Sequence, residues 1–509
     1  MSLRHSASFA VLAAALSLAA CGGDETDATS DPASQGAPDS ANDALAALGL
    51  AEQGRASWAD RVQDGDTFTF TDFTLAGEEG QLSAETLVLD DPRLSENGPV
   101  FERLSVNTGE FTYDDGLASF SSFSVADAGP GVGQALANLI RGEGGLDDIP
   151  LDRQTFSGLT LDTLRVTTAA NDQAGPGELV IARAEAGAFD GETLDRLTIS
   201  DIAYDASDAE GGQIAVDISE IAAAGVNLAL LESGAEGEMA GSNPLLGSIA
   251  GSYDQYDRIA VSGLRVVSGG ALILMPEFIG EIEEAGGGVL VSTAAMPALT
   301  LEANEDSPMG AQFAQSLDRL GYETLSLSLA SETEYDPEAD RVTTTGENYI
   351  AMDDGFIMSF EQDLSGVQAY TNAMNAWLDE ADAAAGDGME PALPPSVLEP
   401  LMIHSAVIRL EDRSLLDRAL SMIAEQQGVT PAQLRSQAGL FVAMGAGMLG
   451  GSVPPELTTQ LSGALTNFIG QGGSLVIEFD PDAPVSAARF MAEGGPDLTG
   501  LAVRHEAAE

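Results

Sequence analysis

The residues able to do chemistry are few. Cys21 is the only thiol in 509 residues, and it closes the run Leu18-Ala19-Ala20-Cys21. A single thiol cannot form an internal disulfide, a cysteine zinc site or a redox pair. All twenty basic residues are arginine, so Schiff-base lysines and the phosphate-binding lysine of P-loops are excluded. His404 lies in the apolar run Leu401-Met-Ile-His-Ser-Ala-Val-Ile408. It is read first as a hydrogen-bonded core or surface histidine and second as a general base. His505, five residues from the C-terminus, is read as solvated. Asp336, Glu338, Asp340 and Glu347 imitate positions 1, 3, 5 and 12 of a calcium loop, but Arg341 stands where that loop needs glycine. A hairpin turn with solvated acids is the expectation there, and likewise for Asp205, Asp208 and Glu210. Gly445-Ala-Gly-Met-Leu-Gly450 matches a dinucleotide fingerprint without the required preceding strand, so close helix packing is expected. Neither GxSxG nor HExxH occurs. No catalytic, cofactor-binding or metal residue is assigned; the one site residue is Cys21.

The setting of Cys21 defines its role. Met1 to His5 holds one firm positive charge, Arg4, and Phe9–Leu18 is uncharged and apolar. About ten apolar residues fall short of the roughly 20 that span a bilayer, so the segment reads as a secretory signal. Leu-Ala-Ala-Cys after such a run resembles the lipobox of bacterial lipoproteins, a resemblance covering residues 1–21. It implies removal of residues 1–20 and acylation of Cys21 as the mature N-terminus. Gly22, in place of the Asp that retains many lipoproteins in the inner membrane, implies the outer membrane with the protein facing the periplasm. The alternative is an ordinary secreted chain cleaved near Ala20.

Composition limits the partners. Eighty-one acids against twenty arginines give a net charge of −61, a field that repels nucleic acid and anionic head groups. The partners expected are the membrane, through the anchor at Cys21, and a lipid or protein ligand; oligomeric state is left open. With 44% apolar residues, the chain can build a sizeable core.

The elements that must position any site follow in order. Residues 21–42 are acidic and rich in Gly, Ser, Ala and Pro, a tether that cannot order itself. Residues 43–62 have helical spacing. Residues 63–365 alternate in the manner of strands, as in Thr67-Phe-Thr-Phe-Thr-Asp-Phe73, with helical inserts expected at Val132–Arg141, Ile218–Leu231 and Pro276–Glu284. A weak repeat recurs at Phe101-Glu-Arg-Leu, Leu194-Asp-Arg-Leu, Tyr256-Asp-Arg-Ile and Tyr322-Glu-Thr-Leu. It is read as a strand entered through an aromatic plug, and Tyr113-Asp114, Tyr204-Asp205 and Tyr335-Asp336 as the turns that follow. Residues 366–509 are expected to be mainly helical with terminal strands, including helices at Val367–Ala385, Asp412–Gln427 and Glu456–Ile469, and one capped by Thr430 that runs from Pro431 through Leu434 towards Met448.

The expected fold is therefore α+β: an extended, curved antiparallel sheet followed by a mainly helical C-terminal region. Such a sheet resembles, without a diagnostic motif, the elongated β-rich envelope proteins of the AsmA-like kind. The resemblance implies lipid-handling or envelope-maintenance roles and transfers no residues. A non-catalytic protein holding a hydrophobic ligand or partner along a sheet groove is the first functional expectation. A periplasmic hydrolase acting through carboxylates, with or without calcium, is the alternative, and a purely structural role is a third.

Overall fold

A computed structural model describes residues 41–77, 80–113, 116–144, 149–169, 174–208, 213–228, 255–305, 307, 309–385, 393–449, 454–491 and 498–507. The signal, Cys21 and nearly all of the tether lie outside these residues. The chain is mostly antiparallel β-sheet with helices. It divides into one unit of residues 1–232 and 260–268 and a second of residues 233–259 and 269–509.

The first unit begins with α1 (Ala41–Leu48), short edge strands β1 (Ala56–Ser57) and β2 (Asp60–Asp64), then β3 (Thr67–Ala76), β4 (Gly80–Asp90), β5 (Arg93–Ser95), β6 (Gly98–Tyr113) and β7 (Gly116–Ala128). Helix α2 (Pro130–Arg141) and a 3-10 turn (Leu151–Arg153) precede β8 (Gly158–Thr168), β9 (Ala174–Ala186), β10 (Thr193–Asp208), β11 (Gln213–Asn227) and β12 (Arg258–Ser268). The long strands from β3 to β11, β5 aside, form an antiparallel meander in chain order. Two expectations fail here. The helix over 43–62 stops at Leu48, because the chain then turns into β1 and β2 against β3. Ile218–Asn227 is strand, not helix: its Ala-rich sequence is held along β10 from Ile218↔Ile202 to Asn227↔Thr193, and the ladder outweighs a weak local preference.

The sheet is creased. Phe68 and Phe70 are buried, then Phe73 and Leu75, so the buried face changes phase at the exposed Asp72. On β6 the buried residues fall at Phe101, then Leu104 and Val106, then Gly109 and Phe111, with the exposed pairs Glu102–Arg103 and Asn107–Thr108 between them. The strand registers do not slip at these points; a single residue pair is left unbonded while the ladder resumes in step on either side. Successive unbonded positions line up across the sheet: Asp72, Glu85, Thr108, Ser121, Thr163, Ala182, Asp201 and Ser219. Alternate members, Asp72, Thr108, Thr163 and Asp201, have φ of 47° to 54°, and Gly263 (φ +64°) lies against Ser219. Left-handed residues break the pleat and bend a strand as bulges do, and Asp is among the non-glycine residues that tolerate this best. A second row crosses at Glu102/Asp127 and Asp195/Gly225, with Asp127 and Gly225 left-handed.

Two copies of the weak repeat, at Phe101 and Leu194, mark the second row. In each copy a buried or half-buried residue (Phe101, Leu194, Tyr256, Tyr322) precedes two exposed ones. The apolar plug is as expected, but Phe101 and Leu194 lie inside strands already begun, and Tyr204-Asp205 lies within β10 and makes no turn. Leu164, Ile181 and Ala184 on β8 and β9 are 1–2% exposed, although the helices pack on β5, β6 and β7. The apolar face is therefore covered as far as β9, beyond the strands on which the helices pack.

The second unit contains β13 (Ala271–Glu284), β14 (Leu290–Ala303), α3 (Gly310–Arg319), β15 (Leu325–Asp336), β16 (Arg341–Thr344), β17 (Tyr349–Met352) and β18 (Phe356–Ser365). Next come α4 (Val367–Ala385), α5 (Pro395–Leu398), β19 (Met402–Asp412), α6 (Leu415–Gln427), α7 (Pro431–Leu449), α8 (Pro455–Gln471), β20 (Gly473–Phe479), β21 (Val485–Ser486) and β22 (Leu501–Glu506). The helix expected at Pro276–Glu284 is strand β13. Pro276 sits where β13 and β14 leave a gap in their pairing, between Leu274↔Thr300 and Ile279↔Ala295, so its missing N–H costs no bond to β14. The C-terminal region is only partly helical. α4 and α6–α8 form near the expected positions, but β19, β20 and β22 continue the sheet from β18. Asp412 ends β19 and caps α6 from the strand, accepting the Leu416 N–H at 2.9 Å. Thr430 and Gln433 make a reciprocal capping box at α7, with bonds of 2.9 and 3.2 Å.

β16 and β17 together form one interrupted strand between β15 and β18. Asn348, buried at 7% exposure, fills the interruption. Its Oδ1 accepts from Ser331 Oγ (3.1 Å) and Glu332 N–H (2.9 Å), and its Nδ2 donates to the carbonyls of Glu332 (3.1 Å) and Thr345 (2.6 Å). One side chain thus replaces the missing piece of backbone ladder.

Candidate functional site

Two places in the second unit combine position and chemistry. The first surrounds His404. Its strand, β19, carries one extra residue opposite β18: Asp363 faces Ser405 and Leu364 faces Ile403, which leaves His404 as the bulge. The bulge re-aims the ring, and His404 Nε2 lies 2.8 Å from Ser365 Oγ. Arg341 grips Asp363 beside them, Nε to Oδ1 at 2.7 Å and a second nitrogen to Oδ2. The Arg341 hydrogen bond holds the Asp363 carboxyl below its ordinary range; burial opposes this, while the charges of Arg341 and His404 assist.

A serine at the end of a strand, bonded to histidine and followed by a helix, has the outline of an activated nucleophile. The surroundings do not complete it. Acyl transfer needs free donors where the oxyanion develops, and here the Gly366 N–H donates to the Asp340 carbonyl at 2.8 Å. The Gln368 N–H donates to Asp340 Oδ1, also at 2.8 Å. A carboxylate therefore occupies the N-terminus of α4, and both oxygens of Asp363 are committed to Arg341 instead of to an imidazole. The cluster is built as a clamp joining β16, β18, β19 and α4.

The acids expected as a solvated turn are structural. Asp336 Oδ1 accepts the N–H groups of Glu338 (2.9 Å) and Ala339 (3.1 Å) and so forms the turn after β15. Asp340 caps α4 and also accepts from Tyr335 Oη at 3.4 Å. Asp340→Ala is expected to cost about 2 kcal/mol, from the lost cap and a left-handed φ of 46° that alanine resists. Asp340→Asn keeps both features and should cost well under half of that; urea unfolding of the two variants checks this. Among the described residues no group of three or more His, Cys, Asp or Glu could hold a metal ion. Asp205 is exposed, and Glu210 lies outside the described residues. His505 is half-buried rather than solvated, with Nε2 2.7 Å from the Gly472 carbonyl. Gly445 to Leu449 lie on α7, with helix before them and no strand, while Gly450 lies outside the described residues.

The second place is the apolar face of the sheet. In register across six strands run Met296 (β14), Leu329 (β15), Ile350 (β17), Met358 (β18), Leu410 (β19) and Leu475 (β20). Flanking positions repeat the character: Leu299–Leu327–Met352–Phe356 on one side and Phe360–Ile408–Ile477–Val503 on the other. Helices cover both margins. α4 and α5 pack over Val342, Leu364 and Leu401, with Leu290, Tyr335 and Ile403 alongside. α8 packs over Val503, Leu475 and Ile477. Between these margins Met296, Leu329, Ile350, Met358 and Leu410 remain half-buried. On the opposite face, Arg409 meets Glu506 at 2.6 Å and Arg504 pairs with Glu478, around the buried Val476 that stands in register between the two arginines. Sequence reading found these strands but not that their apolar side chains stay partly uncovered.

A family model described only as an uncharacterized protein matches residues 349–506, the stretch from β17 to β22 that carries most of this face. No curated protein matches the chain. Among the described residues, no helix is long and apolar enough to cross a membrane.

Proposed function

We propose that this chain is a lipid-anchored periplasmic lipoprotein of the outer membrane, held through Cys21, that binds a hydrophobic ligand along an extended, curved sheet and performs no catalysis. The half-buried aliphatic row from Met296 to Leu410 carries the reading. A sheet face built only to be core would be covered across its middle as it is at its margins, whereas five strands here present aliphatic side chains with part of their surface left to water. Every buried methylene is worth about 0.8 kcal/mol, so a hydrocarbon laid on this row gains affinity without any charged contact. That suits a chain whose net charge is −61. The membrane attachment rests on the lipobox resemblance.

Purified Cys21→Ser protein, extracted with organic solvent and analysed by mass spectrometry, should yield an enriched hydrophobic species. Leu329→Glu with Met358→Glu should reduce that yield at least tenfold, because a carboxylate beside an apolar ligand costs more than the 1.4 kcal/mol that a factor of ten represents. No enriched species from the unaltered face, in protein whose near-ultraviolet circular dichroism is native, would overturn the proposal.

A further inference from the structure

One stretch of the second unit interrupts the acidity of the chain. There are 81 acids in 509 residues, yet residues 426–477 hold a single acid, Glu456, and a single basic residue, Arg435. This stretch builds α7 and α8, and residues 436–455 between the two charges carry no ionisable side chain. Arg435 is itself neutralised, because it pairs with Asp417 of α6.

Helix α7 is also the least covered element of this region. α6 buries Leu420 and Ala424, and α8 buries Leu457, Ala464 and Phe468, whereas no described side chain of α7 is buried. α7 packs on α8 and, to a smaller extent, on α6. Its half-buried Leu434, Ala438 and Val442 recur every four residues and so share one side. Gly439 meets α8 there, where a Cβ would lie 3.7 Å from the Thr466 methyl. Met444, two residues past Val442, falls on the opposite side and is 58% exposed. Polarity divides along the helix: Gln433, Arg435, Ser436 and Gln437 stand in its first half, while residues 438–449 are all apolar or glycine.

We infer that α7 is a second membrane contact, additional to the anchor at Cys21, that lays its apolar C-terminal half on a lipid surface. At 1.5 Å per residue the whole helix is about 28 Å long. Only part of it is apolar, so it does not cross a hydrocarbon core of roughly 30 Å. The last carbonyls of a helix have no partner within it and cannot enter hydrocarbon unsatisfied. The helix therefore settles at head-group level, at the depth of about 5–10 Å reached by helices that lie in the interface. Charge decides the occupant. A second copy seated here would bring together two chains of net charge −61, which repel each other. A zwitterionic lipid surface brings no such repulsion, and the acid-poor layer of α7 and α8 is where the molecule approaches it at least electrostatic cost. The inference rests on the membrane location proposed above, but it needs neither the acyl group nor the ligand face.

The test uses Cys21→Ser protein, which has no thiol, with Met444→Cys added and labelled with nitrobenzoxadiazole. Phosphatidylcholine vesicles should raise the label's emission at least threefold and shift it to the blue. The same label at Val62→Cys, 50% exposed on β2 of the first unit, should not respond. In flotation of unlabelled protein, Met444→Glu should weaken vesicle binding about tenfold, because a carboxylate must then leave water. Both substitutions fall on an exposed side chain and leave the fold intact. No response at Met444, an equal response at Val62, or undiminished flotation of Met444→Glu overturns the proposal. Emission that rises with protein concentration in the absence of vesicles assigns the face to a second copy and overturns it too. Because the lipid-free protein is used without ligand, each of these failures leaves the anchor and the ligand-binding face as they stood.

Discussion

Phe70→Ala should destabilise the first unit by about 3–5 kcal/mol, the range for removing a fully buried aromatic ring. Phe70 is 0% exposed and is held by Trp58 at an interplanar angle of 71°, so both packing and a ring–ring contact are lost. It also lies on β3 just before the first crease, where ladders to β2 and β4 leave little room for collapse into the void. Val62→Ala on the edge strand β2, at a side chain 50% exposed, should change stability by less than about 0.5 kcal/mol. Urea unfolding followed by tryptophan fluorescence at Trp58 reads both. A loss below 1 kcal/mol at Phe70 would show that this face is not the core of the unit.

Asn348→Ala should cost about 3 kcal/mol in the second unit. The substitution leaves the Glu332 N–H and the Thr345 carbonyl without their partner in a buried gap, while the Glu332 carbonyl keeps the Thr345 N–H; each orphaned group costs about 1–3 kcal/mol, partly relieved by water. Asn348→Asp separates donor from acceptor roles. A carboxylate still accepts from Glu332 N–H but faces two carbonyl oxygens, so its folded-state pKa must lie above the unfolded value near 3.9. The variant is therefore least impaired below that unfolded value and loses stability as pH rises through the folded one. Thermal unfolding of wild type and both variants at pH 4 and 7 checks the sign; a pH-independent deficit in Asn348→Asp would refute the role given to Nδ2.

How far the sequence led can be judged from particular residues. Thr67 to Phe73 announced a half-buried strand, and Phe68 and Phe70 are buried as their spacing requires. The change of phase at Asp72 was not legible. An Asp in a run of Thr and Phe signals neither a left-handed φ nor its alignment with Thr108, Thr163 and Asp201, because that alignment depends on the lengths of all the intervening hairpins. Ile218 to Asn227 and Pro276 to Glu284 were misread because alanine and an interrupted apolar pattern favour helix locally, and only a neighbouring strand reverses the choice. The clamp at His404 was half legible. The histidine stood out, but its partner Ser365 is 39 residues away, and the bulge that joins them exists only once β18 and β19 are paired. Asn348 gave no sign at all, being one polar residue in a stretch, Arg341–Met352, that reads as a single strand. The apolar face was legible as strands and illegible as surface, since exposure depends on where α4, α5 and α8 come to rest.

The crease has a consequence for how a chain of this build can change length. Left-handed residues fall on every second strand along the first row, from Asp72 through Thr108, Thr163 and Asp201 to Gly263. One bent strand and one unbent partner therefore make the smallest piece that preserves the cross-section. Inserting or deleting a whole hairpin would widen or narrow the sheet by about 10 Å, at roughly 4.8 Å per strand, and keep its profile. A single inserted residue would turn the rest of its strand inside out. Relatives of this protein are expected to differ by whole hairpins, each a ready-made segment of the sheet.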